Sequence, residues 1–198
     1  MPTDAAEARK MTPAEYVAWE ETQVEKHELL DGVPYAMSGA SPRHNKLAWR
    51  LTVLLDRGLS GTPCEGLDSN QRIAVANESG YVYPDASIVC GNAEFDPVAH
   101  GLLNPAAIFE VLSRSTEAFD RGDKARLYRA RPSLRDYVLV SQWEALVEQW
   151  RLLNGVWTLA EAGPGQAFTL ADGTRVAVDE LYEGVWRFPT DEDLKKQP

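Results

Sequence analysis

Two acidic residues stand against apolar runs of this chain, and they constrain its fold more than any other feature. Glu110 interrupts Ala106-Ala107-Ile108-Phe109-Glu110-Val111-Leu112, and Asp85 opens the run Ala86 to Cys90 behind Pro84. Both runs have the length and apolar content of buried strands. A carboxylate inside such a strand is costly unless something pairs with it. Alternation puts Asp85, Ser87 and Val89 on one face of the first strand, and Ile108, Glu110 and Leu112 on one face of the second. If the strands are neighbours, the two acids come within reach of one ion. Mg²⁺ suits such oxygen ligands, binding through one or two carboxylates with water and substrate phosphate. Taken singly, the residues also admit plainer roles: a turn cap for Asp85 and an arginine partner for Glu110.

After Glu110 a tight link leads into a helix, expected from about Ser115-Thr116 to Ala130, where Pro132 stops it. Asp120, Lys124 and Tyr128 recur at i, i+4, i+8 and share a face of that helix. A lysine there can reach back over the carboxylate pair and stabilise charge on a reacting phosphate or orient water. The plainer reading is a surface Asp120–Lys124 ion pair, with Tyr128 as packing.

The rest of the chain supplies the frame. Thr12-Pro13-Ala14-Glu15 is a helix N-terminus with a capping-box spacing, opening a helix from Pro13 to about Glu21 that buries Tyr16. Asp31-Gly32 between two short apolar runs marks a hairpin over His27 to Met37. Leu47, Leu51, Leu54 and Leu55 form the stripe of a helix from Arg43 to Leu59. Strands are expected over Gln71–Ala76, Tyr81–Cys90, Pro105–Leu112 and Leu134–Val140. Four shorter runs follow, split by Asn154-Gly155, Gly163-Pro164-Gly165 and Asp172-Gly173, and read as antiparallel hairpins extending the sheet. The expected class is α/β: a mixed β-sheet flanked by helices, with C-terminal antiparallel hairpins. Residues 1–11 and 189–198 are expected to be flexible, leaving one domain over 12–188.

Charge and cysteine usage narrow the setting. The chain of 198 residues carries a net charge of −10, which argues against indiscriminate nucleic-acid binding through basic surface. Between Glu110 and Arg135, however, seven basic residues face four acidic ones, so a local basic segment borders the candidate site. No apolar run approaches a membrane span, and the N-terminus lacks the apolar region of a secretory signal, so a cytoplasmic location is expected. Cys64 and Cys90 make no disulfide framework, and Cys90 is expected as a small buried filler. Without CxxC or HExxH spacings, zinc is not expected.

The ordered set of HELLDG, SPRHN, YPDASIVCG, FEVLSRSTEAFDRGDKARLY and RDYVLV closely resembles a bacterial restriction-endonuclease family built on the PD-(D/E)xK fold. The resemblance spans roughly residues 25–185. It implies a restriction-endonuclease-like core with Mg²⁺, or Mn²⁺, held by Asp85 and Glu110, and DNA as substrate. The lysine that the wider fold class places two residues after the glutamate is Leu112 here. The resembled family carries its lysine in the following helix, where Lys124 stands. Glu28 matches an acidic position of the family and is a further catalytic candidate. His44 matches a position often filled by histidine, as base or phosphate contact. A homodimer is implied by the need to cut two strands, with Trp143, Trp150, Trp157 and Trp186 as apolar surface or as core. Two other functions stay open at this level: a binding or regulatory module on an inactive nuclease scaffold, and a metal-dependent hydrolase of RNA or a small phosphodiester.

Overall fold

In the computed structural model, residues 10–37, 39–75 and 80–196 are described. Helix α1 (Pro13–Glu20) starts at Thr12, whose side chain accepts from the Glu15 amide while Glu15 caps back. Strands β1 (His27–Leu30) and β2 (Val33–Ala36) form the expected hairpin. Its turn residues Asp31 and Gly32 sit at φ 49° and 82°, the paired left-handed conformation of a tight hairpin turn. Helix α2 (Pro42–Leu59) is capped by Ser41 and buries Leu47, Leu51, Leu54, Leu55 and Leu59.

The main sheet has six strands in the order β10-β9-β8-β7-β6-β3. These are β3 (Cys64–Asp68), β6 (Ala86–Cys90), β7 (Ala107–Val111), β8 (Asp136–Val140), β9 (Val147–Leu153) and β10 (Val156–Ala162). Only β7 and β8 are parallel; the other pairs run antiparallel, so the sheet is mixed. A smaller sheet has the order β2-β1-β5-β4, adding β4 (Ile73–Ala74) and β5 (Tyr81–Val82). After β8 the chain makes the β9–β10 hairpin, then β11 (Ala167–Thr169) and β12 (Arg175–Ala177), then α5 (Val178–Tyr182), a 3-10 turn (Val185–Arg187) and α6 (Asp191–Lys195).

Alternation sorts each central strand between two cores. Ala107, Phe109 and Val111 of β7 pack with the leucines of α2 and with Val178 and Leu181 of α5. Ile108, with Leu112 just beyond the strand, packs on the other side with Ala125, Tyr128 and Tyr137. Glu110 falls on this second face and is itself 4% exposed. Helices therefore flank a mixed sheet on both sides, as the sequence pattern requires.

Several details differ from the expectations. The Tyr81–Cys90 segment is two strands in two different sheets, because Tyr83-Pro84-Asp85 breaks the extended run and Pro84 has no amide for a ladder. Strand β3 was not expected: CEGLD is short, polar and glycine-containing, and among the described residues it is an edge strand paired only with β6. Cys64 on β3 stands directly opposite Cys90 on β6, with Cα atoms 4.0 Å apart, and the two are disulfide-bonded. Cys90 is thus no free buried filler; its partner was hidden with the unrecognised strand. Strands β11 and β12 form their own two-stranded sheet and do not extend the main one. The charged tail folds into α6 over Asp191–Lys195, where Thr190 and Asp193 cap each other and Arg43 and Arg114 pair with Asp193 and Glu192. Trp143, Trp150 and Trp157 pack partly buried against the second core, whereas Trp186 is 47% exposed and stacks on Tyr182. Among the described residues, no helix is long and apolar enough to cross a membrane.

Candidate active site

Strands β6 and β7 pair antiparallel with Ala86 opposite Phe109, so one step further along the ladder Asp85 faces Glu110. Asp85 lies in the bend just before β6. Its Oδ2 accepts the Val111 amide at 2.7 Å, which ties the carboxylate to the end of β7. The crossing from β5 to β6 also serves Glu28: the Tyr83 amide donates to Glu28 Oε1 at 3.1 Å. The small sheet thereby presents Glu28 to the acids of the large one.

The helix after β7 closes the site. It runs as α3 (Glu117–Phe119), a π-helical turn (Asp120–Lys124) and α4 (Ala125–Arg129). The wider turn frees a backbone carbonyl from regular pairing, and the Tyr137 hydroxyl donates to the Asp120 carbonyl at 2.9 Å. Lys124 points from this turn into the acids. Its Nζ lies 2.9 Å from Glu28 Oε1, 3.1 Å from Glu110 Oε1 and 3.6 Å from Asp120 Oδ1. Tyr128 donates its hydroxyl to Glu110 Oε1 at 2.9 Å. The surface Asp120–Lys124 pair considered from spacing is a buried one, with side chains 2% and 6% exposed.

His44, in the first turn of α2, reaches the cluster from the other side, with Nε2 3.3 Å from Asp85 Oδ2. Its Nδ1 is buried and has no hydrogen-bond partner among the described residues. The structure thus brings together all five candidates: Asp85, Glu110, Lys124, Glu28 and His44. Two further residues join them, Tyr128 and Asp120. The i, i+4, i+8 spacing places both on the lysine's face, and of the two plainer roles open to them, packing and a surface ion pair, neither describes the contacts made here.

The electrostatics are those of acids crowded in a low-dielectric place. Burial, with Asp120, Asp85 and Glu28 adding repulsion, pushes Glu110 well above the carboxylate range despite the attraction of Lys124. Asp120 is raised by burial too, against the pull of Lys124. Burial opposes the charge on Lys124, but Glu110, Glu28 and Asp120 outweigh it and raise its pKa. For His44, burial is likewise outweighed by Asp85, and the imidazole is raised above its ordinary value.

Four carboxylates therefore share one ammonium and one imidazole. Buried negative charge left over in this way is costly unless a cation offsets it. Glu110 Oε2 and Asp85 Oδ1 take no hydrogen bond from the described residues, which leaves two hard oxygen donors. That donor set fits a divalent cation of the Mg²⁺ type, completed by water. Among the described residues, no three of these groups bring one ligand atom each within 4.8 Å of one another, so Asp85 and Glu110 would be a two-carboxylate site and not a closed cage.

Comparison with known proteins gives the family and the fold. The profile of the family described as "Putative restriction endonuclease" (Uma2) matches residues 13–186. The uncharacterized protein slr1290 of Synechocystis sp. (strain ATCC 27184 / PCC 6803 / Kazusa) is 38% identical over 178 residues, 89% of this chain and 93% of that protein. A second uncharacterized protein of the same organism, sll1609, is 34% identical over 158 residues, 79% of this chain and 89% of its own length. The crystal structure of a "putative nuclease belonging to DUF820" from Anabaena variabilis ATCC 29413 matches with a TM-score of 0.70 at 11% identity. That match covers 88% of this chain and 99% of the other, and it shows a shared fold.

Proposed function

Because the chain belongs to the Uma2 family of restriction-endonuclease-like proteins, we propose that it is a metal-dependent endonuclease that hydrolyses phosphodiester bonds of DNA. The observation that carries this reading is the convergence of Lys124 on Glu110 at 3.1 Å, with Asp85 opposite across the β6–β7 ladder. Asp85 and Glu110 would hold Mg²⁺, with Mn²⁺ an accepted substitute. When bound, such an ion lowers the pKa of water and neutralises charge developing on the phosphate. The Val111 amide fixes the Asp85 carboxylate, and Tyr128 fixes Glu110. Lys124 supplies positive charge beside the reacting phosphate, where a preorganised cation stabilises a transition state more than it would in water. Glu28 and Asp120 hold that lysine charged and in place. His44, with Nε2 at 3.3 Å from Asp85 Oδ2, would orient that carboxylate. A homodimer would set two such sites on the two strands of a duplex. The open edge of β10, with Val156 62% and Leu159 48% exposed, supports that assembly.

A second reading has an observation of its own. Lys124 is already satisfied by three acids, as it would be in a scaffold that binds nucleic acid without turnover. Incubation with supercoiled plasmid in Mg²⁺, Mn²⁺ or EDTA separates the two. The nuclease reading expects metal-dependent nicking that disappears in Asp85→Ala. No nicking by the wild type in either metal overturns it and favours the binding module.

A further inference from the structure

Helix α6 lies beyond residue 186, where the match to the family ends, and it buries no side chain. Charge holds it in place. Glu192 Oε1 lies 2.6 Å from Arg114 Nε, and Asp193 Oδ2 lies 3.2 Å from Arg43 Nη2. Besides these pairs, the mutual cap of Thr190 and Asp193 closes its first turn. Ion pairs with solvent-exposed partners contribute little to stability, so the helix is held by contacts that another anion can replace.

The two arginines come from distant parts of the chain and meet at one edge of the candidate site. Arg43 precedes His44 in the first turn of α2, and Arg114 follows Leu112 and Ser113 beyond the end of β7. Gln142 ties these two places together. Its Oε1 accepts the Ser41 hydroxyl at 2.9 Å, its Nε2 donates to the Leu112 carbonyl at 2.8 Å, and its own carbonyl accepts Arg43 Nη1 at 3.3 Å. The Val111 amide that fixes Asp85 is one residue away. Arg43 also donates to the Phe188 carbonyl at 2.8 Å and lies over the Trp186 ring, while Arg114 lies over Trp143. All these supports are neutral. Among the described residues each arginine pairs with one acid, and both acids belong to α6. A guanidinium fork that binds a carboxylate binds a phosphate in the same way.

We propose that Arg43 and Arg114 form a phosphate-binding pair for the DNA backbone beside the cut, and that Glu192 and Asp193 of α6 occupy this pair in competition with DNA. The inference rests on the nuclease reading for its ligand. It goes beyond that reading in assigning backbone contacts and the segment that masks them. Displacing α6 exposes no buried side chain of its own, and the neutral supports keep both guanidinium groups in position. DNA gains counterion release at each phosphate contact, which the tail carboxylates do not provide, so low salt favours the DNA over the tail.

The test is duplex binding without cleavage. Fluorescence anisotropy of a short labelled DNA duplex is measured in EDTA with the full-length wild type, Glu192→Gln, Glu192→Gln/Asp193→Asn, Arg114→Gln and Arg114→Gln/Glu192→Gln. Glu192→Gln is expected to lower Kd about 2- to 5-fold, the scale of one surface ion pair that no longer competes. Adding Asp193→Asn should lower it further. In the Arg114→Gln background Glu192→Gln should change nothing. With Glu192→Gln present, Arg114→Gln should raise Kd and reduce the salt slope by about 1. Equal melting of the variants is the folding control. Equal Kd values for wild type and both tail variants overturn the proposal. So does a gain from Glu192→Gln that persists without Arg114, since that is a general effect of net charge, and so does failure of every variant to bind the duplex. Plasmid nicking with no effect of the tail acids sinks the masked pair and leaves the nuclease standing. Arg114-dependent tail effects on binding without nicking do the reverse.

Discussion

Strands β7 and β8 lie side by side, and each buries one acid, but in opposite company. Asp136 opens β8 and is 1% exposed. Its Oδ1 receives Arg151 Nε at 2.8 Å and Gln149 Nε2 at 2.7 Å, and its Oδ2 receives the Ala171 amide at 2.7 Å. Both oxygens are filled, and one arginine balances one carboxylate. Glu110, towards the far end of β7, has donors on Oε1 alone among the described residues, and its ammonium is shared with Glu28 and Asp120. Burial is the same for both; the supply of donors and cations is not. A buried acid with filled lone pairs is part of the frame, whereas one in a group short of positive charge is prepared for an incoming cation.

Removing one acid from each place should give different kinds of loss. Asp85→Ala or Glu110→Gln is expected to lower plasmid nicking in Mg²⁺ by more than the roughly 100-fold that loss of an outer metal partner costs, with the fold retained. Single-turnover rates at saturating DNA check this. Nicking in either variant within about tenfold of wild type would take the metal-binding role away from that residue.

Asp136→Ala should act on stability instead. It leaves Arg151 and Gln149 without their carboxylate, and breaking a buried pair from one side costs about 3 kcal/mol. For a chain of this size that lowers Tm by about 6 °C or more, with nicking per folded molecule unchanged. Calorimetry and a nicking assay at low temperature measure the two quantities separately. A stable but inactive Asp136→Ala protein would break the distinction between frame and site.

The third expectation concerns the cation directly. Mg²⁺ or Mn²⁺ should raise the Tm of the wild type, since a ligand at 100 times its Kd stabilises by about 2.7 kcal/mol. Asp85→Ala should show no such response, and Asp136→Ala should keep it. Absence of any metal effect on wild-type melting would count against the two-carboxylate site, whatever the nicking assay gives.

The contrast between the acids also explains what was legible in the sequence. Period-two alternation around Ser87 and Ile108 located Asp85 and Glu110 on one face, because burial of both strand faces leaves a charged residue conspicuous. Helical spacing put Asp120, Lys124 and Tyr128 on one side of one helix. Neither signal carries depth: an i, i+4 acid–base pair reads the same on a surface as in a core, so Asp120 and Tyr128 were undervalued. The π-helical turn within Asp120–Lys124 has no pattern of its own in the sequence. Strand β3 escaped because an exposed edge strand needs no apolar alternation, and the Cys64–Cys90 bond escaped with it. His44 and Asp85 meet only through the packing of α2 on the sheet; the family resemblance marks His44 as a candidate, but neither it nor local pattern gives this contact.

A third buried acid offers the finest test of the rule about donors. Asp96 is 2% exposed and forms no ion pair among the described residues. Instead it accepts from the amides of Val98 at 3.0 Å, Ala99 at 2.8 Å and Gly101 at 2.5 Å, and from the Tyr81 hydroxyl at 3.1 Å. Gly101 permits this approach, since a Cβ there would stand 2.8 Å from Asp96 Oδ2. Burial works against the charge, but these donors outweigh it and hold Asp96 below its usual value. With the folded pKa below the unfolded one, the stabilisation is fully present above the unfolded value of about 4 and is lost as pH falls through the lower folded value. Asp96→Asn should therefore cost about 1–2 kcal/mol at neutral pH and flatten the acid limb of the stability curve below about pH 4. Urea melts at neutral and acid pH would show both effects. If the variant followed the wild type through the acid limb, filled lone pairs alone would not settle how a buried carboxylate behaves. The contrast between Asp136 and Glu110 would then have to rest on the count of cations.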